Sequence, residues 1–353
     1  MKRCSKCILS ENFPKIKFDD NGICNFCNDK MFFSTEKKQI KEAEIAINKM
    51  FDEARGGREY DAIVCYSGGK DSTYTLQLAV EKYKLKILSF TLDNGFISPV
   101  AFRNIEKVVS KLGVDHVTYR PSYKFMKKLF RVSSTLSIYN SKTLTRISAN
   151  CNSCISIVNI TALKYAIEKK VPFILAGFTL GQIPANTIYY KNNYEFFKES
   201  RQVVLNKLKN ELGDDVSRYM EINDSLLEEK KAYPHNINLL CLEDITEEEI
   251  IERIKPLGWV QPKDVDGCST NCQINSFNNY VHVKKFGYSP YELELSHLIR
   301  KNLLTREEAL NKLNDQPQDQ IDHAMKELKI NKESLSESAS MVTKANVNGM
   351  DKL

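Results

Sequence analysis

The feature of the sequence that most constrains the fold is the junction between residues 61–66 and residues 67–72. The first stretch, Asp-Ala-Ile-Val-Cys-Tyr, is apolar and partly β-branched, which predicts a buried strand. The second, Ser-Gly-Gly-Lys-Asp-Ser, predicts a glycine turn that leads into a helix over residues 72–83. Backbone N–H groups and the positive helix end then converge on one point, where a phosphate group can bind. Gly68 and Gly69 allow that close approach because they lack a Cβ.

Strand-like and helical stretches alternate after this junction. Further strands are predicted at 85–92, 116–119 and 172–176, and helices at 100–112, at 122–131 and from Cys151 onward. Such alternation is typical of a Rossmann-like α/β fold, in which right-handed crossovers join parallel strands. Ligands bind at the carboxyl ends of such strands, and three motifs fall there. These motifs are residues 67–72, 93–95 and 177–179.

The first 30 residues contain two C-x2-C pairs, Cys4/Cys7 and Cys24/Cys27, separated by sixteen residues. This spacing is typical of a zinc ribbon, in which four thiolates bind one Zn²⁺ at about 2.3 Å. A segment this short buries too little apolar surface to fold alone, so the metal is expected to supply its folding free energy. Four unliganded buried cysteines are the alternative.

The composition of the chain gives no indication of a membrane span or a signal peptide. No uninterrupted apolar stretch reaches the ~18 residues that span a bilayer, and the charged start Met1-Lys2-Arg3 lacks a signal-peptide core. We therefore expect a cytoplasmic protein with no membrane partner.

Capping boxes at Thr246 and Thr305 predict helices in the carboxyl-terminal part. The expected divisions are a zinc ribbon at 1–32, a linker helix at 33–57, an α/β domain at 58–245, a helical region at 246–330 and a disordered tail at 331–353.

Four further cysteines form a second set, Cys151/Cys154 and Cys268/Cys272. Cys151 and Cys154 lie one turn apart at the start of a predicted helix, where the helix dipole is expected to lower the pKa of their thiols. In one interpretation, three of the four thiolates bind a [4Fe–4S] cluster whose fourth iron is open to an external sulfur. The alternatives are a persulfide on Cys151 or Cys154, a second zinc site with all four thiolates, and a merely packed set of thiols.

The motif at residues 67–72 resembles the SGGxDS signature of the PP-loop ATP pyrophosphatases, which have a HUP-type α/β fold. The resemblance implies that residues 58–245 cleave ATP between its α and β phosphates and place AMP on an acceptor oxygen. It also implies that Asp71 contacts Mg²⁺ and that Lys70 neutralises the departing pyrophosphate. The expected ATP-binding residues are Tyr66, Ser67, Gly68, Gly69, Lys70, Asp71, Ser72, Phe90, Asp93 and Gly177.

Two branches of this family resemble different parts of the chain. The N-acetyl sugar amidotransferases resemble the cysteine knuckles with residues 18–24, the SGGKDS loop, and residues 257–259, 284–288 and 305–310. That branch implies a sugar acceptor and ammonia from a partner glutaminase. The second set of cysteines resembles instead the tRNA 2-thiolation enzymes, which combine zinc knuckles, a PP-loop, a C-x2-C pair and a later third cysteine. The chain departs from these enzymes at residues 177–182, where a paired-acid motif is expected, and it lacks their terminal zinc knuckles.

Sulfur chemistry requires thiols in the pocket and ammonia chemistry does not, so we predict an ATP-dependent sulfurtransferase, with an amidotransferase as the alternative. The expected catalytic residues are Lys70, Asp71, Cys151, Cys154 and Cys268. The acceptor is a small molecule, a carrier-bound group or a tRNA, the partner is a sulfur donor or a glutaminase, and a homodimer is left open. For a tRNA acceptor the basic candidates, against the alternative of a solvated helix surface, are Lys124, Lys127, Lys128, Arg131, Lys142 and Arg146.

Overall fold

A six-stranded sheet forms the centre of the computed structural model, which describes residues 1–222, 233–333 and 335, without the side chains of 194–201. The strand order is β3-β2-β1-β4-β6-β5, with β5 antiparallel to β6 and the other neighbours parallel. The strands are β1 Ala62–Cys65, β2 Ile87–Leu92, β3 Asp115–Tyr119, β4 Phe173–Leu175, β5 Tyr189–Lys191 and β6 His235–Ile237. The predicted α/β class with a parallel sheet is confirmed.

Helices cover both faces of the sheet and form the carboxyl-terminal part. Those that precede β6 are α1 Asn25–Asn28, α2 Lys30–Glu53, α3 Lys70–Gln77, α4 Pro99–Leu112, α5 Tyr123–Thr135, α6 Ser141–Leu144, α7 Ala149–Glu168, α8 Tyr194–Leu212 and α9 Asp215–Met220. Those that follow β6 are α10 Glu247–Ile254, α11 Asn275–Phe286, α12 Glu292–Arg300, α13 Arg306–Asn314 and α14 Gln318–Leu328. Within the described ranges, no helix has the length and apolar character needed to cross a membrane.

Strand β1 shows why the sheet is buried on both faces. Ile63 packs into the core cluster that contains α5 and α7 residues, whereas Ala62 and Val64 pack into the opposite cluster with α2 and α4. Successive side chains of a strand point to opposite faces, so a continuous apolar run supplies both layers. The carboxyl end of β1 therefore emerges at one edge of the sheet and leads directly into residues 67–72.

Two short strands were missed from the sequence. Strands β5 and β6 have three residues each, and they carry tyrosine, lysine, histidine and asparagine instead of an apolar run. They pair with each other across about 45 residues, and β6 pairs with β4 across about 60, so local pattern does not show either pairing. The helix predicted at 72–83 begins earlier, at Lys70, and continues as a π-helical turn over Leu78–Lys82. Most of the tail predicted at 331–353 lies outside the described residues.

The amino-terminal knuckle packs on the carboxyl-terminal helices. Arg3 pairs with the fully buried Glu292 at 2.9 Å, and the Ser10 N–H donates to the same carboxylate at 2.9 Å. The Arg306 guanidinium donates to the Cys7 carbonyl at 3.0 Å. Both predicted capping boxes are present, and the one at Thr305 starts α13 beside this contact. The knuckle thus packs on α12 and α13, while the division into domains stays a prediction.

Candidate active site

Residues 67–72 form a tight loop whose shape depends on Gly68. Its φ is +79°, and a Cβ at this position would lie 2.7 Å from the Ala101 carbonyl and 2.9 Å from Ile105. The Gly68 carbonyl accepts a hydrogen bond from the Trp259 indole at 3.0 Å. A left-handed φ and a blocked Cβ together leave glycine as the residue that fits. The segment that follows β4 approaches the loop closely as well, since a Cβ on Gly177 would lie 3.0 Å from the Ser72 nitrogen.

The side chains of the loop are held by its own backbone. The Ser72 hydroxyl accepts from the Ser67 N–H at 3.2 Å and donates to the Gly69 carbonyl at 3.1 Å. Thr73 donates to the same carbonyl at 2.8 Å. Gly69 is the N-cap of α3 and offers no side chain to its first amides. The loop is therefore rigid, and the N-terminal amides of α3 are available to a partner from elsewhere.

Lys70 is directed away from the main cavity and into a group of charges. Its ammonium lies 2.9 Å from both Asp71 oxygens and 3.5 Å from Glu247, which also pairs with Lys312 at 2.9 Å. Burial acts to lower the pKa of Lys70, but the two carboxylates outweigh it and raise that pKa. Lys70 is therefore charged, and in this arrangement its charge is shared with Asp71, the expected Mg²⁺ contact.

A cavity of about 300 Å³ opens at the carboxyl ends of β1, β2 and β4. The expected ATP residues that line it are Tyr66, Ser67, Gly69, Asp71, Ser72, Phe90 and Gly177. Gly68 shapes the loop from behind, and Lys70 faces a smaller cavity on the other side of Asp71. Asp93 does not line either cavity, because Arg120 and the Gly95 N–H, at 2.9 Å, hold its carboxylate in a turn. Its neighbour Asn94 lines the main cavity in its place.

Three thiols lie on one wall of the main cavity: Cys151, Cys154 and Cys272. A single amide connects two of them, since Asn94 Nδ2 lies 3.6 Å from the Cys154 sulfur and 3.7 Å from the Cys272 sulfur. Asn278 Nδ2 donates to the Cys151 sulfur at 3.4 Å. The structure thus brings together groups that are over 100 residues apart in the sequence.

The third thiol that lines the cavity is Cys272, whereas Cys268, which was expected among the catalytic residues, does not line it. The Cys268 sulfur points to the Lys312 carbonyl at 3.5 Å and packs with the apolar residues of α12 and α13. Cys272 is turned the other way because it pairs with Ile97 in an isolated antiparallel bridge. The two cysteines are four residues apart, yet the path of the loop sends them to different environments.

The thiols of this wall are not activated by the helix dipole, contrary to the expectation from the sequence. Cys151 is in the first turn of α7, where the Ser148 hydroxyl caps its N–H at 3.3 Å. Burial nevertheless raises the pKa of Cys151, and it raises that of Cys154 to about 12. Burial also raises the pKa of Cys272. Desolvation outweighs the dipole here, so the thiols need a bound cation to become thiolates at neutral pH.

The sulfurs of the cavity wall are less closely grouped than those of the amino-terminal knuckle. Zn²⁺ with sulfurs at about 2.3 Å needs sulfur–sulfur distances of about 3.8 Å. Among the residues that the structure describes, only Cys4, Cys7, Cys24 and Cys27 place their ligand atoms within 4.8 Å of one another. The four cysteines of the second set do not form such a group, since the Cys268 sulfur faces the Lys312 carbonyl. The identity of a metal at the three cavity thiols stays a prediction.

The amino-terminal knuckle has the geometry of a single-ion site. The Cys4 and Cys27 sulfurs are 3.9 Å apart and the Cys7 and Cys24 sulfurs 3.7 Å apart. The backbone N–H groups of Cys7 and Cys24 point at the Cys4 sulfur, at 3.4 and 3.2 Å. All four residues are buried. They form a closed metal-binding cluster with no open position for a substrate.

The basic candidates lie beside the sheet, and several have partners within the protein. Lys127 pairs with Glu327 at 3.5 Å, Arg131 donates to the Lys329 carbonyl at 2.6 Å, and Arg146 donates to the Gly181 carbonyl at 2.5 Å. Lys124 and Lys128 are exposed. Binding of RNA by these residues stays a prediction.

Sequence reasoning missed several polar groups of the site. Asn94 belongs to the motif at residues 93–95, which was expected at a strand end, but Asp93 was expected to bind ATP in its place. Thr270, Asn278, Glu247 and Glu294 carried no such signal, because they reach the site from helices and loops far along the chain. They all belong to the carboxyl-terminal part, which therefore completes the site.

This carboxyl-terminal part is also where a family model applies. Residues 267–348 match the model described as LPS biosynthesis protein WbpG-like, C-terminal domain. The resemblance to the amidotransferase-like branch is confirmed for this segment, which we call the WbpG-like segment. It carries Cys268, Cys272 and the helices on which the knuckle packs.

Other similar proteins span most of the chain at low identity. An uncharacterized protein of Methanocaldococcus jannaschii is 22% identical over 313 residues, which cover 88% of this chain and 92% of that protein. Among solved structures, the U34-tRNA thiolase NcsA from Methanococcus maripaludis with its [4Fe-4S] cluster is 15% identical. The aligned parts cover 93% of this chain and 89% of the thiolase, with a TM-score of 0.35. NMN synthetase from Francisella tularensis is 11% identical over 84% of this chain and 95% of its own, with a TM-score of 0.39.

Proposed function

We propose that this protein cleaves ATP to AMP and pyrophosphate, places AMP on an acceptor oxygen, and replaces that oxygen with sulfur. The observation that carries the proposal is the convergence of Cys151, Cys154 and Cys272 on the cavity formed by the PP-loop. Activation and replacement would then take place within one cavity, which avoids releasing a labile adenylate.

In the first step the acceptor oxygen attacks the α-phosphorus and the bond to the β-phosphate breaks. The loop amides and Ser72 hold the phosphates, and Lys70 offers its charge to the leaving pyrophosphate. Asp71 lines both the main cavity and the Lys70 side, so its carboxylate would hold a Mg²⁺ ion, which would supply further positive charge to the phosphates.

In the second step a sulfur nucleophile attacks the activated carbon, and AMP leaves with the original oxygen. Cys151, Cys154 and Cys272 would hold a [4Fe–4S] cluster, which supplies an iron site for an external sulfide. Asn94 and Asn278 orient these sulfurs and donate hydrogen bonds to them. A persulfide on Cys154 is less favoured, because its transfer would leave a disulfide that needs an external thiol, and because burial keeps this thiol protonated.

An amidotransferase is the second candidate, and the match to the WbpG-like segment favours it. The same adenylate would then be attacked by ammonia from a partner glutaminase. The knuckle would be structural in both cases, and its sulfur distances favour Zn²⁺. A sulfur donor or a glutaminase is accordingly the expected partner.

The test begins with anaerobic purification, an absorption spectrum, and iron and sulfide analysis. We expect a coloured protein that releases AMP and pyrophosphate, and loss of that release in Lys70→Ala. Formation of ADP would contradict the ATP pyrophosphatase activity itself. A colourless, iron-free protein that remains active with ammonium after Cys151→Ala and Cys154→Ala would establish the amidotransferase instead.

A further inference from the structure

The loop over residues 266–273 crosses above the PP-loop and is anchored at both ends. At its start, the buried Asp266 carboxylate accepts from the Cys268 N–H at 2.9 Å and from Asn275 Nδ2 at 3.0 and 2.9 Å. At its end, the Gln273 N–H donates to the Phe96 carbonyl at 2.9 Å. The middle of the loop is thereby held against the amino-terminal end of α3.

Thr270, in the middle of this loop, occupies the first amide of α3. Its hydroxyl accepts from the Lys70 N–H at 3.0 Å, across 200 residues of sequence. The contact is so close that a Cβ on Gly69 would lie 2.9 Å from the same hydroxyl. Because Gly69 has no side chain to cap the helix, Thr270 acts as a cap supplied from the WbpG-like segment. An amide N–H at this position is one that a phosphate oxygen also requires.

Thr270 and Cys272 belong to the same hydrogen-bonded turn. The Ser269 hydroxyl accepts from the Asn271 N–H at 3.4 Å and from the Cys272 N–H at 3.1 Å. A displacement of Thr270 therefore acts on a turn that also positions the Cys272 backbone. The Cys272 sulfur lies at the other end of this connection, beside Asn94.

We propose that Thr270 is a nucleotide-sensing residue, whose hydroxyl competes with a phosphate of ATP for the Lys70 N–H. When the phosphate takes this N–H, the turn over residues 269–272 loses its contact with α3, while the Ser98 N–H to Asn271 carbonyl bond and the Ile97–Cys272 bridge remain. Occupation of the PP-loop by ATP is thereby transmitted to the backbone beside Cys272. This inference rests on the proposed function, because it requires ATP at the PP-loop.

The experiment compares Thr270→Val with Thr270→Ser in the full chain. Valine keeps the shape of threonine but accepts no hydrogen bond, so the competitor is removed without leaving a cavity. Calorimetry with Mg²⁺ and the ATP analogue that has a methylene group between its α and β phosphates measures binding without turnover. Thr270→Val is expected to bind the analogue about fivefold more tightly, the factor that one neutral hydrogen bond supplies. Thr270→Ser is expected to match the wild type.

Hydrogen exchange supplies a second readout that does not depend on affinity. In the wild type, the analogue is expected to speed amide exchange at residues 269–273 and to slow it at 67–72. In Thr270→Val, exchange at 269–273 is expected to be fast before the analogue is added. Thr135→Val is the matched control, since its exposed hydroxyl only donates to the Arg131 carbonyl on α5.

Each outcome separates this inference from the proposed function. Weaker binding by Thr270→Val would make Thr270 a phosphate ligand and overturn the competition, and unchanged binding would overturn it as well. In both cases the analogue still binds and the proposed function stands. Failure of the wild type to bind the analogue would contradict the proposed function and this inference together.

Discussion

The knuckle and the cavity wall hold the same kind of side chain in opposite ways. In the knuckle, four sulfurs lie within 4.8 Å of one another, and backbone N–H groups point at the Cys4 sulfur. On the cavity wall, three sulfurs are spread around Asn94 and Asn278, whose side-chain amides are the donors. Backbone N–H donors hold the knuckle sulfurs in fixed positions. Side-chain donors can rotate, and a site on an open cavity wall can exchange a bound ligand. We therefore expect a structural role for the knuckle and a chemical role for the cavity wall.

Removal of the knuckle metal is expected to have the largest effect on the free energy of unfolding, and it tests this comparison first. Cys24→Ser is expected to lose one zinc ion per chain and up to about 10 kcal/mol of metal-derived folding free energy. The loss should reach α12 and α13, because Arg3 and Arg306 connect the knuckle to them. Elemental analysis and thermal unfolding provide the measurement. Cys272→Ser should keep both the zinc and the unfolding temperature, and equal destabilisation by the two variants would erase the distinction.

The second test compares Cys272→Ser with Cys268→Ser, a matched pair four residues apart. Loss of the Cys272 sulfur is expected to lower iron affinity at least about a hundredfold, since loss of outer partners alone costs 10–100-fold. Cys268→Ser should retain the iron, because its sulfur faces the Lys312 carbonyl and not the cavity. Iron and sulfide per chain after anaerobic reconstitution provide the measurement. If Cys268→Ser loses the iron and Cys272→Ser retains it, the assignment of the third thiol is reversed.

The sequence was sufficient where the signal is local. The apolar run of β1 and the glycines that follow it predict a buried strand, a turn and a helix, and the two C-x2-C pairs predict the knuckle. The sequence could not predict which of Cys268 and Cys272 lines the cavity. That placement depends on the Asp266 contacts and on the bridge between Ile97 and Cys272. The pKa of Cys154 was mispredicted for the same reason: the dipole is a local property, but burial is not.

Two carboxylates on α12 extend the comparison, because Glu292 serves the knuckle and Glu294 faces the cavity beside Lys70. Glu292 has Arg3 and the Ser10 N–H as partners. Glu294 accepts a hydrogen bond from Thr179 at 2.8 Å and another from the Gln182 side chain, but burial outweighs both and raises its pKa to about 7. The comparison therefore predicts that neutralising the two carboxyl groups has opposite effects on stability.

The smallest expected effect is that of Glu294→Gln, and its size depends on pH. Between pH 4.5, the ordinary pKa, and about pH 7, the unfolded chain releases a proton that folded Glu294 keeps. Wild-type stability therefore falls as pH rises through this window, and it levels off above it. Glutamine removes this loss, so the stability of the variant should match that of the wild type near pH 5 and exceed it by up to about 2 kcal/mol at pH 8.

Glu292→Gln should destabilise the protein at both pH values, because Arg3 loses its partner. Urea unfolding at pH 5 and pH 8 decides, and a Glu294→Gln protein that is less stable at pH 8 would show that this carboxylate is fully satisfied, like Glu292.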